Sequence, residues 1–201
     1  MAISYPVTPP ASPAPAAVDI VARDTTGVTV SPFTLNTQVA VYAGQAMQIN
    51  VRMPPMPRDV AKDWIAFLLS LKGRAGTFTM GDPTGRVPRG TVPGTPVVDG
   101  ASQTGGTLNV RGFTASQTGV LKAGDYLQIG TALVINLLDA NSDGGGLATL
   151  EIWPGLRIAP ADGASIITSN TVGLWRLPSD LRQWSLGNPF TQLNFSAVEA
   201  L

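Results

Sequence analysis

The chain has no histidine and no cysteine among its 201 residues. Histidine is the side chain that exchanges protons near neutral pH, and cysteine is the usual thiolate nucleophile and soft metal ligand. Their absence excludes a Ser-His-Asp triad, a Cys-His pair and a zinc site built from these residues. Only carboxylate or lysine chemistry would remain, so we expect no catalytic residues, no cofactor and no enzymatic activity.

Charge is also scarce. Thirteen basic and thirteen acidic residues cancel, and charged residues make up 13% of the chain, against about 25% in an average soluble domain. A neutral surface with few charges is poor at keeping molecules apart. This composition favours a protein whose surface is largely covered by other subunits, although a secreted or periplasmic β-domain with few charges would look the same.

Other partners and compartments are disfavoured by what is missing. No basic stripe with interleaved aromatic residues is present, so we expect no direct nucleic-acid recognition. No apolar run approaches the ~20 residues that cross a bilayer, and residues 1–17 lack the basic and apolar regions of a signal peptide. The lack of cysteine agrees with a cytosolic origin.

The sequence is rich in glycine and proline, which divide it into short predicted strands. Residues 1–17 hold five prolines and no charge, which predicts an extended arm that crosses to a neighbouring subunit, or a frayed tail. Strands are predicted at Asp19–Ala22, Gln38–Tyr42 and Met47–Met53. In the last of these, apolar and polar residues alternate. Residues 43–46 are interpreted as a hairpin connection.

One helix is predicted at residues 59–72. Asp59 is the expected N-cap and Gly73 the left-handed stop. One face at helical spacing is apolar; its residues are Val60, Trp64, Phe67, Leu68 and Leu71. This face should pack across a sheet of the same chain. Single, dispersed tryptophans suit core or interface anchors, and we take Trp64, Phe67, Phe78 and Trp175 as candidate interface residues.

Residues 84–96 are rich in glycine and proline and predict a domain boundary. Five short strands follow, which predicts a small β-barrel or sandwich. They are Thr107–Phe113, Tyr126–Ile129, Ala132–Leu138, Leu147–Trp153 and Ser165–Thr168. Further strands are predicted at Gly173–Leu177, Trp184–Leu186 and Gln192–Ser196.

Two patterns of acidic residues could indicate a metal site or catalysis. Asp139, Asn141 and Asp143 fit the first half of a calcium loop, but its twelfth position is Leu150 instead of glutamate, so a plain hairpin tip is the preferred interpretation. Aspartates next to glycine, proline or asparagine suit turn caps better than a catalytic pair. No metal site is therefore expected.

Several segments resemble the distal tail protein, a minor tail-tip protein of long-tailed (siphovirus-type) bacteriophages. They are the run from the helix through Gly73-Arg74-Ala75-Gly76-Thr77-Phe78 to Asp82-Pro83, the segment Gly119–Gly130, and the ending Phe195–Leu201. The resemblance implies a mainly β fold: a β-sandwich belt domain with one helix, similar to the tail tube (18–86 and 169–201), interrupted by a small barrel of the oligonucleotide/oligosaccharide-binding (OB) type (87–168).

The resemblance also implies a function. Six copies would close a ring in the virion, at the distal end of the phage tail, between the tail tube protein and the tail-tip or hub proteins of the baseplate. The alternatives are another minor tail protein, of the tube or terminator ring, or a carbohydrate-binding module for host-surface sugar. A sugar module needs aromatics grouped on one face, and the barrel region offers only Phe113, Tyr126 and Trp153.

Overall fold

The computed structural model describes residues 3–187 and 189–200 and contains two β-sheets and one helix. This confirms the predicted mainly β fold with one helix and a small barrel. In chain order the elements are β1 (Ala17–Val30), β2 (Thr37–Arg52), β3 (Met56–Pro57), α1 (Arg58–Ser70), β4 (Thr77–Met80), β5 (Gly94–Val98), β6 (Gly105–Phe113), β7 (Tyr126–Ile129), β8 (Ala132–Asn136), β9 (Ala148–Leu156), β10 (Ile166–Ile167), β11 (Gly173–Arg176), β12 (Trp184–Leu186) and β13 (Phe190–Glu199).

The first sheet is antiparallel and has the order β1-β2-β13-β11-β4, with β3 and β12 also pairing with β13. We call this sheet with α1 the belt. The predicted alternation in β2 is confirmed, because Met47, Ile49 and Val51 are buried while the residues between them are partly exposed. Since alternate residues of a strand point to opposite faces, this half of β2 has one face in the core.

Helix α1 packs its apolar face on this sheet, as predicted. Trp64 and Phe67 lie edge-on with ring centroids 5.8 Å apart, and Phe67 meets Phe78 of β4 edge-on at 5.4 Å. Phe195 of β13 completes the cluster, 6.2 Å from both Trp64 and Phe78. Edge-to-face pairs add to the stability that comes from burying the rings.

The ends of α1 differ from the prediction. Asp59 is not the N-cap; the helix begins at Arg58, the preceding Pro57 occupies the cap position without a side-chain hydrogen bond, and Asp59 instead accepts a hydrogen bond from Lys62 at 2.7 Å. At the other end, Lys72 and Gly73 both have positive φ, so Gly73 does help to stop the helix. The Gly76 amide then donates to Leu71 O at 2.8 Å, and a Cβ on Gly76 would lie 2.6 Å from that oxygen.

The second sheet comprises residues between 94 and 167 and interrupts the belt between β4 and β11. Its strand order is β10-β7-β8-β9-β6-β5, and an antiparallel bridge between Val97 and Ser165 brings the two end strands together. The sheet therefore nearly closes on itself around a core of its own, and we call it the barrel. It has six strands instead of the five predicted, because the loop predicted at 84–96 runs into strand β5.

The barrel also contributes to the core of the belt. Leu133 of β8 is buried in the same cluster as Met47, Phe78 and Trp175, and Tyr126, Ile135 and Trp153 pack against that cluster. The two units consequently share an apolar contact, which a simple insertion of an independent domain does not require.

The proline-rich arm lies on its own belt. Val7 forms a parallel bridge with Phe78, its amide donates to Thr77 O at 2.9 Å, and the Tyr5 hydroxyl donates to Ser70 O at 2.8 Å. The segment bends at residues 5–6 and 11–13, so it is not one extended run, and its Val7 pairs with the free edge of β4 of the same chain. In this structure the arm is therefore held against its own belt and is not a frayed tail.

Candidate assembly surface

The hairpin formed by β1 and β2 carries several exposed apolar side chains. The two strands pair from Ala17–Arg52 out to Val30–Thr37, whereas β13 pairs with β2 only between Gln48 and Arg52. The outer part of the hairpin, residues 25–42, therefore projects beyond the sheet. Within the described part of the chain, no strand pairs with either edge of this projection.

The projecting hairpin has one apolar face. Opposite residues of an antiparallel pair share a face, and the pairs on one side are Thr26–Val41, Val28–Val39 and Val30–Thr37. The other side carries Thr25–Tyr42, Gly27–Ala40 and Thr29–Gln38. The four valines are all exposed, so this apolar face has no core beneath it in the single chain.

The tip of the hairpin is also apolar. The turn between Ser31 and Asn36 is held by Ser31 Oγ, which accepts hydrogen bonds from the amides of Phe33 and Thr34. This turn presents Phe33 and Leu35 outward, with 94% and 76% of their surfaces exposed. A two-stranded hairpin is only marginally stable alone in water, and exposed apolar patches mark interaction sites.

The sequence contains the pattern of this hairpin, but the strand boundaries predicted from it are wrong. Residues 43–46 do not connect two strands; they lie inside β2, where the pairing shifts register between Asp24 and Thr25. Interpreting this β-bulge as a turn split β2 and left most of β1 unassigned. The spacing of Val28 and Val30, and of Val39 and Val41, within a segment without charge is the pattern that identifies the hairpin.

The four residues predicted to contact neighbours lie elsewhere. Trp64, Phe67, Phe78 and Trp175 all belong to the buried core of the belt, and none is more than 5% exposed. Trp175 also donates its indole N–H to Met80 O at 2.7 Å. They are core residues, and their side chains are not available to another subunit in this conformation.

The calcium-loop pattern folds as a hairpin tip. Asp139 accepts hydrogen bonds from Lys122 and the Ala123 amide, and Asn141 accepts one from the Gly119 amide at 2.7 Å. Asp143 accepts hydrogen bonds from backbone amides of its own turn. The three side chains thus bind different partners, and residues 3–187 and 189–200 contain no cluster of three potential metal ligands.

Four of the other aspartates predicted as turn caps accept hydrogen bonds from backbone amides; they are Asp82, Asp125, Asp162 and Asp180. Asp125 is the clearest case, because its buried carboxylate accepts hydrogen bonds from the amides of Arg89, Gly90 and Lys122 at 2.7–2.9 Å. Asp180 accepts one from the Arg74 amide at 3.0 Å. These carboxylates are occupied by backbone donors. Asp99 does not fit the prediction, because its carboxylate accepts a hydrogen bond from the Arg111 side chain.

The barrel aromatics do not form a platform for sugar. Phe113 is buried in the barrel core, while Tyr126 and Trp153 pack toward the belt. A stacking surface needs aromatic faces exposed together, whereas Phe113 is buried in one core and Tyr126 and Trp153 pack against the other.

Comparisons with known proteins identify no family, so the function is inferred from the structure of this surface. A scan against models of protein families finds no match to this chain, and a search among curated proteins finds no significant similarity. Among the described residues, no helix has the length and apolar character needed to cross a membrane.

Proposed function

We propose that this chain is a structural subunit that assembles with copies of itself into a closed ring. The observation that carries the proposal is the projecting hairpin at residues 25–42, which has an uncovered apolar face and two unpaired edges within the described part of the chain. An exposed edge of this kind is a template for pairing with another chain.

The two edges of the hairpin suit a head-to-tail contact. Because β1 and β2 are antiparallel, the β1 edge of one copy can pair with the outer β2 edge of the next and continue an antiparallel sheet. Such a contact uses two different surfaces of each subunit, so it generates a ring when the rotation closes. The apolar faces of the hairpins would then pack against neighbouring subunits, and the polar faces would line the opening.

The biological setting is part of the proposal and rests on the resemblance of the helix–Gly73–Gly76–Phe78 run and the chain ending to distal tail proteins. In that setting the ring has six copies. It belongs to the virion, at the distal end of the tail of a long-tailed phage, and joins the tail tube protein to the tail-tip or hub proteins of the baseplate. The role is structural, without catalysis.

The test is to place a charge on the apolar face. Val39→Asp introduces a carboxylate at an exposed position, so the subunit should remain folded while assembly is lost. Gln38→Glu is the matched control, because it adds one negative charge at the adjacent residue on the polar face. Native mass spectrometry would be expected to give a closed multiple of the 20.9 kDa chain for the wild type and control, and monomer for Val39→Asp.

Two results would contradict the proposal. One is a wild-type chain that stays monomeric at every concentration at which it remains soluble. The other is a Val39→Asp variant that assembles as well as the control. Electron-microscopy class averages of the assembled wild type would give the symmetry of the ring. Any number of subunits other than six would contradict the six-copy ring that the resemblance to distal tail proteins implies.

A further inference from the structure

The hairpin changes direction at a defined point. Asp24 pairs with Gln45 but the next residue, Thr25, pairs with Tyr42, so Ala43 and Gly44 have no partner in β1. Extra residues on one strand bend it and increase its twist locally. This β-bulge separates the inner half of the hairpin, which belongs to the sheet, from the projecting half.

The barrel contacts the hairpin at this bulge. Trp153 of β9 donates its indole N–H to Asp24 Oδ1 at 2.8 Å, and the Gly155 amide donates to Gln45 Oε1 at 2.8 Å. Gln45 Nε2 in turn donates to the same Asp24 oxygen at 3.0 Å. The two residues that flank the bulge are therefore bonded to each other and to one barrel strand.

An ion pair immediately after the end of β9 also joins the barrel to the belt. The Arg157 guanidinium binds both oxygens of Glu199 in β13, at 2.9 and 3.0 Å, and also donates to Gln45 O. Glu199 is mostly sheltered from solvent and accepts a further hydrogen bond from the Met47 amide at 3.3 Å. A two-pronged arginine–carboxylate contact fixes geometry as well as adding energy.

We infer that the barrel is a brace that sets the direction of the hairpin, and that Asp24, Gln45, Trp153 and Arg157 are positioning residues for assembly. The inference rests on the proposed ring function. A ring closes only if each subunit presents its two edges at a constant angle, and a two-stranded ribbon pivoting on a bulge would not hold that angle alone. Fixing the bulge beforehand lowers the entropy that is lost when copies associate.

The absence of cysteine allows a direct measurement of hairpin direction. Thr34→Cys at the hairpin tip and Ala115→Cys in an exposed barrel turn give two unique sites for spin labels, with no background labelling. Labelled chains would be diluted with unlabelled protein so that only distances within one chain are read. With the contacts between the barrel and the bulge intact, the chain is expected to show one narrow distribution of distances between the two labels.

The test variant is Asp24→Ala combined with Gln45→Ala, which removes the acceptors for Trp153 and Gly155. The distance distribution should broaden and shift. Asp19→Ala is the matched control, because Asp19 is an exposed carboxylate on the same strand that pairs with Arg52 and not with the barrel. Asp24→Asn should also keep the narrow distribution, since an amide oxygen can still accept from the indole.

A second variant tests the brace from the barrel side. Trp153→Phe keeps an aromatic ring but removes the N–H donor, and it should broaden the distribution as the double variant does. An unchanged narrow distance in folded Asp24→Ala/Gln45→Ala, or in Trp153→Phe, would overturn the inference.

The readouts separate the brace from the ring. In a chain that forms rings, the double variant should assemble more weakly than Asp19→Ala at equal concentration. If the double variant loses the narrow distance and the wild-type chain never forms rings, the results would support the brace and refute the ring proposal. Normal ring formation by a double variant with a broadened distance would refute the positioning role.

Discussion

The indole Nε1 of Trp153 donates a hydrogen bond of 2.8 Å to Asp24 Oδ1, across 129 residues of sequence. This bond joins a strand of the interrupting barrel to the hairpin that projects from the belt. Together with the buried Leu133 side chain in the belt core, it makes the barrel a structural part of the belt surface. The interruption at residues 94–167 therefore contacts the belt through a hydrogen bond as well as through apolar side chains.

Phe67→Ala should destabilise the chain by about 3–5 kcal/mol. Phe67 is 5% exposed and meets both Trp64 and Phe78 edge-on, so truncation leaves a cavity and breaks two aromatic contacts. Leu69→Ala on the same helix is the control; at 49% exposure it should cost much less. Urea unfolding of both variants measures the difference, and equal midpoints would place Phe67 outside the core.

Val7→Pro should loosen the arm. Proline removes the amide that donates to Thr77 O at 2.9 Å, while Val7→Ala retains it and serves as the control. Limited proteolysis should cut residues 3–16 faster in the proline variant. Removing residues 2–17 altogether should leave the belt folded, because its buried cluster comes almost entirely from residues after 46. Loss of cooperative unfolding in the truncated chain would show that the arm is part of the core.

Deletion of residues 90–168, bridged by a short glycine-serine linker, should leave a folded but less stable belt. The belt keeps nearly all of its buried cluster and loses Leu133 together with the packing of Ile135 and Trp153. Leu133→Ala in the full chain should reproduce part of this loss, about 2–5 kcal/mol. Near-ultraviolet circular dichroism would test whether the belt keeps fixed packing. Loss of this signal in the deletion variant would mean that the two units share one indivisible core.

Acid stability should depend on Arg111. Hydrogen bonding to Arg111, together with the Gly100 amide and the guanidinium charge, holds the pKa of Asp162 below its usual 3.8, and Arg111 also binds Asp99 at 2.9 Å. A carboxylate with a lowered folded-state pKa adds stability above the unfolded value, and this stability is lost as the pH falls through the folded value. The stability difference between wild type and Arg111→Ala should therefore be present at neutral pH and shrink below pH 3.8.

Arg111→Lys is the conservative partner of that variant. Lysine keeps the charge but cannot reproduce the planar contact with two carboxylates, so only part of the difference should be restored. Both Arg111 and Asp162 are accessible to solvent, so the effect on unfolding should be modest. A wild-type to Arg111→Ala difference that is constant from neutral pH to acid would show that the ion pairs contribute nothing to stability.

Local patterns in the sequence predicted much of the fold. The alternation of Met47, Ile49 and Val51 and the helical spacing of Trp64, Phe67 and Leu71 are patterns that extend over only a few residues. Strand β5 was missed because Gly94 and Pro96 carry the composition of a loop, and the structure tolerates them at the end of the barrel sheet. Local composition could not decide whether residues 94–98 form a strand or a loop.

The candidate site was harder to predict because its meaning depends on distant residues. Ala43-Gly44 has the composition of a turn, and only the pairing of β2 with β1 on both sides of it makes it a bulge. Likewise, nothing near Asp24 in the sequence indicates that Trp153 will reach it. The buried aromatics chosen as interface candidates were recognised as important but not as internal, since burial is a property of the whole chain.

From Thr25 to Val51 the sequence contains no charged residue, and this stretch includes the entire projecting half of the hairpin. Salt screens interactions between charges, whereas kosmotropic salts strengthen the burial of apolar surface. Raising the salt concentration should accordingly not weaken association through this surface. Subunits of this kind recognise one another by shape and by strand register, without long-range electrostatic steering.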